Sequence, residues 1–355
     1  MAKRTIKLGG TASDVTVARV AHGLMMMTWI PTPVPDEQCF EAIKAGIDAL
    51  PPGAKMFLNS GEFYAMDMQT GNLEMLARFF EKHPGYAEKT FLSVKGGINR
   101  EVRGPDNSED KLRASVDNIL RALGPHKKLD LFEPARIDRK VPVEDMMRTL
   151  SALVKEGKFT HIGLSECNAD TLRKAHAVHP VTAVEIEVSP FSFEDRTRAV
   201  IDTAAELGVS VIAYSPLGRG ILTGKIKSAA DLQEGDIRSR LSRFKAENIE
   251  GNLPVVNALE ELAKRKGVTV AQLCIAWVAA QGPSVIPLPG SSKATRTLEN
   301  LEAGEIVLSK AELDEMSGII EKYGVKGDRG MGLTDEQHHH WGVDEACTSD
   351  VFIIV

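Results

Sequence analysis

Cysteine is scarce in this chain, with only Cys39, Cys167, Cys274 and Cys347 among 355 residues. They lie far apart and form no C-x-x-C pair, which excludes the usual spacing of a zinc site and a disulfide framework. Long apolar runs are missing too. The longest, residues 273–280, is eight residues, whereas a membrane-crossing helix needs about 20. An excess of positive charge is also absent: Lys plus Arg number 43 against 49 Asp plus Glu, for a formal charge of −6 without a long basic block. Neither a nucleic acid nor a membrane is therefore expected as a partner. The opening MAKRTIKLGG turns polar at once instead of running into the apolar stretch of a secretory signal. Taken with the few cysteines, this predicts a reduced, cytoplasmic chain.

What is present is alternation. Short β-branched or apolar runs at 20–24, 56–59, 90–94, 129–132, 160–164, 183–188, 210–214 and 284–287 are separated by segments of helical period such as 36–50, 108–123, 143–156, 169–177, 195–207 and 253–266. Each run has the length of a buried parallel strand. Eight such rounds without a shift in composition predict an α/β fold, a single (β/α)8 TIM barrel covering the whole chain. Before the first round, residues 4–8 and 15–19 flank Gly9-Gly10 and Ser13-Asp14, a β-hairpin signature suited to plugging the barrel floor. Residues 215–252 make an unusually long connection, and the tail at 324–355 is irregular, glycine-rich and charged. Both are expected to cover the C-terminal face of the strands, where ligands bind in this architecture.

Nucleotide motifs are incomplete. Gly218-x-Gly220 follows a strand, but the next glycine is Gly224, one residue late for G-x-G-x-x-G, and Ile226 stands where a phosphate loop needs Ser or Thr. What is left is a strand running into Ser-Pro-Leu-Gly-Arg-Gly, whose N–H groups and Arg219 could hold a pyrophosphate or form a plain loop. His338, His339 and His340 are consecutive, so they point in different directions and do not predict a shared metal; no metal is expected.

A charged residue that ends an apolar strand must face the barrel mouth. Lys95 does so in Phe-Leu-Ser-Val-Lys-Gly-Gly, and Tyr64 lies just past the second strand in Asn-Ser-Gly-Glu-Phe-Tyr. A buried lysine can act as a Schiff-base nucleophile, form a structural ion pair, or serve as a cation that favours a neighbouring phenolate. Tyrosine, with a pKa near 10, needs such help to exchange protons at neutral pH.

These residues resemble the aldo-keto reductase superfamily over about 20–323, a barrel family that binds an extended nicotinamide cofactor. The resemblance aligns the family's Asp, Tyr, Lys and His with Asn59, Tyr64, Lys95 and Ala135, so two of the four have changed. The segments Asn-x-Gly-Glu-Phe-Tyr, Leu-Ser-Val-Lys-Gly-Gly, Lys-Lys-Leu-Asp-Leu-Phe, Gly-Leu-Ser-Glu and Ala-Val-Glu are similar to those of fungal pyridoxal reductases, where Asn and Ala are the usual occupants. Ala65, Met26 and Pro134 depart from that branch, as does the tail.

The resemblance implies NADPH as cofactor and a small aldehyde as substrate, most specifically pyridoxal reduced to pyridoxine. It assigns Tyr64, Lys95 and Asn59 to catalysis, and Trp29, Glu62 and Ala135 to the substrate, with Ala135 leaving room beside the carbonyl and Glu62 accepting from a substrate hydroxyl. Ser165 and Glu185 are implied for the carboxamide, Tyr214 for stacking on the nicotinamide, and Ser215, Leu217 and Arg219 for the pyrophosphate, with Thr28 a further cofactor contact. Ser291, Lys293 and Arg296 would meet a 2′-phosphate at a helix start, and Glu299 and Asn300 the adenine. Asn59 is expected to leave the charge of Lys95 less neutralised than a carboxylate would, so that the lysine lowers the pKa of Tyr64. A broad-range reductase, a non-catalytic NADPH-binding regulatory subunit and a Schiff-base aldolase are the alternatives. The oligomeric state stays open, and a monomer is compatible with everything above.

Overall fold

The computed structural model describes residues 2–102 and 104–329. Eight parallel strands pair in sequence order: β1 (His22–Gly23), β2 (Met56–Gly61), β3 (Thr90–Gly96), β4 (Leu131–Pro134), β5 (His161–Ser165), β6 (Ala183–Glu187), β7 (Ser210–Tyr214) and β8 (Val285–Leu288). A parallel bridge between Gly23 and Gly290, with the Ala21 N–H donating to the Pro287 carbonyl at 2.8 Å, draws the first and last strands together. This is the (β/α)8 barrel that the alternation predicts.

Helices α1 (Asp36–Asp48), α2 (Gly71–Lys82), α3 (Glu109–Leu123), α4 (Val143–Lys155), α5 (Ala169–Val178), α6 (Asp195–Leu207), α7 (Ala246–Lys266), α8 (Val270–Ala279), α9 (Ala294–Glu302) and α10 (Lys310–Tyr323) follow the strands or close the chain. Their buried faces obey the helical period. In α4, for example, Val143, Met146, Met147, Leu150 and Leu153 are buried while Asp145 and Arg148 face water. Local chemistry sets the ends: the Asn168 side chain accepts from the Thr171 N–H at the start of α5, and Thr269 with Gln272 caps α8 reciprocally. One boundary differs from the expectation. Helix α7 begins at Ala246 rather than 253 and carries Pro254 inside it, so the long connection after β7 is shorter than its composition suggests.

The amino-terminal strands Thr5–Lys7 and Thr16–Ala18 pair antiparallel. Between them the chain enters the barrel floor, where Leu8, Ala12 and Val17 pack against Phe57, Phe91, Leu131 and Ile212. Gly10 is required there: its φ is +51°, and a Cβ would lie 2.3 Å from the Val181 carbonyl oxygen.

Strand period places the chemistry. Side chains alternate between barrel interior and helix layer, so the inward file on β3 reads Phe91, Ser93, Lys95; on β2, Phe57, Asn59; on β4, Leu131, Glu133; on β6, Ala183, Glu185, Glu187. In every file an apolar floor residue gives way to polar ones toward the mouth. Phe57 and Phe91 stack at 5.4 Å and seal the floor below them.

Candidate active site

Tyr64 is brought over the barrel by the turn after β2. Its ring folds back so tightly that a Cβ on Gly61 would lie 2.8 Å from ring carbons, so only glycine fits at that position. The hydroxyl of Thr28 donates to the Tyr64 carbonyl at 2.5 Å and itself accepts from Asn72 at 2.7 Å, which anchors the turn. Thr28, expected to touch the cofactor, thus also holds the turn that carries Tyr64. Trp29, Phe63, Tyr64 and Ala135 form one apolar cluster, with the Trp29 ring 5.5 Å from that of Tyr64 and edge-on to Phe63 at 5.9 Å. Ala135 has no exposed surface, so the room expected beside it is not open to solvent here.

Beneath this wall lies a buried polar cluster. The Lys95 ammonium donates to Asn59 Oδ1 at 2.7 Å and to Glu185 Oε1 at 2.6 Å, lies 3.8 Å from Glu133 Oε1, and sits 5.5 Å from the Tyr64 ring centre. Asn59 Nδ2 donates to Glu185 Oε2 at 2.6 Å and to Glu133 Oε1 at 3.3 Å, while Ser93 donates to Glu133 at 3.0 Å. One expectation is corrected by this arrangement: Lys95 does not lack a carboxylate partner, because Glu185 supplies one. Each oxygen of Glu185 accepts one hydrogen bond within the cluster.

Electrostatics follow from burial. Desolvation opposes the charge on Lys95, but Glu185, Tyr64 and Glu133 outweigh it and hold the ammonium above the ordinary lysine range. Burial pushes the Tyr64 phenol up; Lys95 pulls it down, yet Glu185 and Glu133 push the same way as burial, and the net direction is upward. The pull of Lys95 is in the expected direction, but the net upward push prevails. It leaves Tyr64 protonated at neutral pH, the form a proton donor needs. Burial and the adjacent Glu185 raise Glu133 well above the usual carboxylate range.

Glu62, expected at the substrate, is turned outward. Ser115 and Asn118 of α3 donate to its two oxygens at 2.6 and 2.7 Å, and Arg100 pairs with it at 3.3 Å. Its carboxylate therefore ties the β2 turn to α3.

Around the mouth lie the residues expected to hold a cofactor. Ser165, at the end of β5 beside Glu185, is buried, and its hydroxyl oxygen has no partner among the described residues. Such an orphaned polar atom fits a ligand carboxamide. Tyr214 ends β7, and beyond it Ser215 and Arg219 adopt φ of 51° and 58°, with Leu217 accepting the Gly220 N–H at 2.9 Å. Left-handed conformations at two non-glycine residues mark a constrained loop of the kind that presents N–H groups to phosphate. The side chain of Arg219 turns to Glu187, 3.6 Å away. His22 of β1 donates from Nε2 to the Ser291 carbonyl at 2.8 Å, fixing the turn into α9, and Lys293, just before that helix, and Arg296, on its first turn, stand exposed. Helix start and two cations suit a phosphate. Glu299 accepts from Thr269 at 3.0 Å, and Asn300 is buried beside it.

A second buried cluster was not expected. Arg329 donates to Glu166 at 3.0 Å, to Glu187 at 3.2 Å and to the Tyr214 hydroxyl at 3.3 Å, and Arg243 reaches Glu187 through Ser192. The signal for Glu133, Glu166 and Glu187 was in the sequence: each interrupts or ends an apolar strand, as Lys95 does. Arg329 carried no such signal. His338 to His340, Cys347 and the tail beyond 329 lie outside the described residues.

A parallel barrel with a tyrosine and a lysine buried at its strand ends defines a class of enzyme scaffold, and comparison supplies the family. The aldo/keto reductase family model matches residues 19–321. The chain belongs to that family of oxidoreductases. It is 37% identical over 318 residues to a probable pyridoxal reductase 2 of Schizosaccharomyces pombe, covering 88% of this chain and 94% of that one. A putative pyridoxal reductase of Saccharomyces cerevisiae is 35% identical over 329 residues, covering 87% and 94%. Among solved structures, a glycerol dehydrogenase from Gluconobacter oxydans superposes with a TM-score of 0.76 at 25% identity, covering 91% of this chain and 97% of that one.

Proposed function

We propose that the protein reduces an aldehyde to an alcohol with NADPH, and that pyridoxal is its preferred substrate. The observation that carries this reading is the protonated Tyr64 phenol held in an aromatic wall beside the buried Lys95 ammonium. Bound NADPH would supply the hydride. Ser165 would accept the carboxamide, Tyr214 would stack on the nicotinamide, Ser215 and Leu217 would line the pyrophosphate, and Lys293 and Arg296 would meet the 2′-phosphate. Tyr64 then donates its proton to the carbonyl oxygen as negative charge develops there, and Lys95 stabilises the phenolate left behind. The carbonyl gains one hydride and one proton.

Pyridoxal is supported by two relatives named as pyridoxal reductases and by the aromatic rings of Trp29 and Phe63 that pack beside Tyr64. A Schiff-base aldolase would need a neutral lysine; Lys95, paired with Glu185 at 2.6 Å, is held as the cation. The three buried free cysteines among the described residues, Cys39, Cys167 and Cys274, suit a reducing compartment, and we place the reaction in the cytoplasm. No helix among the described residues is long and apolar enough to cross a membrane.

The test is NADPH oxidation with pyridoxal, 4-nitrobenzaldehyde and a short aliphatic aldehyde. The expected result is a kcat/KM for pyridoxal above the other two. A value below both removes pyridoxal as the preferred substrate, and no turnover with any aldehyde removes the enzymatic reading in favour of a regulatory one.

A further inference from the structure

Three polar residues on three strands converge on Lys95, and their chemistry is uneven. Asn59 offers it an amide oxygen, Glu185 a carboxylate oxygen in direct contact, and Glu133 a carboxyl oxygen farther off. Asn59 does more than accept. Its NH2 group bridges to the second oxygen of Glu185 at 2.6 Å, so amide, ammonium and carboxylate close a ring of three short hydrogen bonds. An aspartate at 59 could not close that ring, because a carboxylate has no N–H to donate and would place a third acid beside Glu133 and Glu185.

We infer that Glu185, on β6, is the counter-ion that positions Lys95 against Tyr64, and that Asn59 is the neutral bridge joining them. The inference rests on the reductase reading, and it gives the unusual residue at 59 a reason. Glu185 is the carboxyl group in direct contact with the Lys95 ammonium, and an acid at 59 would crowd a further one against it and Glu133 in a buried site. Glu185 is thus a positioning residue, acting on Tyr64 through Lys95 rather than touching substrate. The titratable groups facing Tyr64 are Lys95 on β3, Glu133 on β4 and Glu185 on β6.

A charge relocation tests this. The variants are Glu185→Gln, Asn59→Asp and the double exchange Asn59→Asp/Glu185→Gln, assayed for kcat against pH and for NADPH binding by fluorescence. Glu185→Gln removes a negative neighbour that raises the Tyr64 pKa, so the alkaline limb on which the proton donor is lost moves to lower pH. Its kcat at neutral pH falls by about tenfold or more, in the range of a disturbed general acid. Asn59→Asp alone also lowers kcat. The double exchange restores one amide and one carboxylate around Lys95, and it returns both the limb and kcat to within about threefold of wild type, a residue of less than 1 kcal/mol. NADPH affinity stays within the same factor throughout.

Three outcomes overturn the inference. One is a Glu185→Gln enzyme whose kcat and alkaline limb match wild type. Another is a double exchange no better than Glu185→Gln alone. The third is a Glu185→Gln enzyme that loses NADPH affinity without shifting the limb, which would return Glu185 to the cofactor. Failure of the reductase reading looks different, because wild type itself would then bind no NADPH or oxidise none with any aldehyde.

Discussion

The barrel mouth holds two buried charge clusters built from the same residue types, and their balance is opposite. Around Lys95, two carboxyl groups share one cation. Around Glu187, two carboxylates, Glu166 and Glu187, are gathered by Arg329, with Arg219 and Arg243 nearby. In the first cluster burial and the neighbouring Glu185 push Glu133 upward, and Lys95 does not offset them. In the second, burial works to raise Glu187, but Arg329, Arg219 and Arg243 outweigh it and hold the carboxylate below its usual range. Burial alone therefore does not decide the state of a buried acid; the local count of cations does. An acid-rich cluster with a phenol at its edge is suited to proton transfer. A cation-rich cluster is suited to holding chain segments together, here the segment ending at Arg329 against β6 and β7.

The largest expected effect falls on the first cluster. Tyr64→Phe removes the proton donor and should lower kcat by about 10²–10⁴-fold while leaving NADPH affinity nearly unchanged. Steady-state kinetics with fluorescence titration would check it, and a variant retaining half the wild-type kcat would mean that another group donates.

Arg329→Ala should strike stability instead. It strips the main partner from two buried carboxylates, for a cost of about 3–5 kcal/mol, readable as a fall in the urea midpoint. The pH sign follows from Glu187: its folded pKa is depressed, so its contribution is present above the unfolded value and lost as pH falls through the folded one. The gap between wild type and variant should accordingly narrow on acidification. A constant gap would place the effect in packing rather than charge.

Arg296→Ala addresses a cation on neither cluster. A charge-assisted contact is worth about 1.5–3 kcal/mol before screening, and Arg296 is exposed. The NADPH over NADH preference should therefore fall by about tenfold, or 1.4 kcal/mol. An unchanged ratio in paired titrations would remove Arg296 from the 2′-phosphate.

The smallest effect sharpens the contrast. Glu133 is an acid with a raised folded pKa, so its contribution to stability is full below the unfolded value and is lost as pH rises toward the folded one. Glu133→Gln should remove that alkaline loss, leaving thermal melting flatter across neutral pH than in wild type. Melting curves that keep the wild-type slope would show Glu133 to be ionised.

How much of this could be read from residues alone depends on the distance over which each property is set. The barrel, the floor hairpin and the placement of Tyr64 and Lys95 follow from local pattern: a period of two on the strands, of 3.6 on the helices, and a turn that needs Gly61. Pattern also puts Asn59 and Glu185 on inward files at the mouth. It does not say which inward residue meets which. Asn59 and Lys95 are 36 residues apart, Lys95 and Glu185 90, and Glu166 and Arg329 163. Only the closed barrel sets those contacts, because it brings β2, β3, β4 and β6 around one axis. The outward turn of Glu62 depends likewise on where Ser115 and Asn118 of α3 come to lie. Protonation is more distant still from the sequence, since the upward shift of Glu133 arises only where desolvation and a neighbouring carboxylate act together. The sequence thus determined which side chains reach the barrel mouth. Tertiary structure decided how they pair and which of them carry charge, because both depend on distances across the barrel and on the exclusion of water.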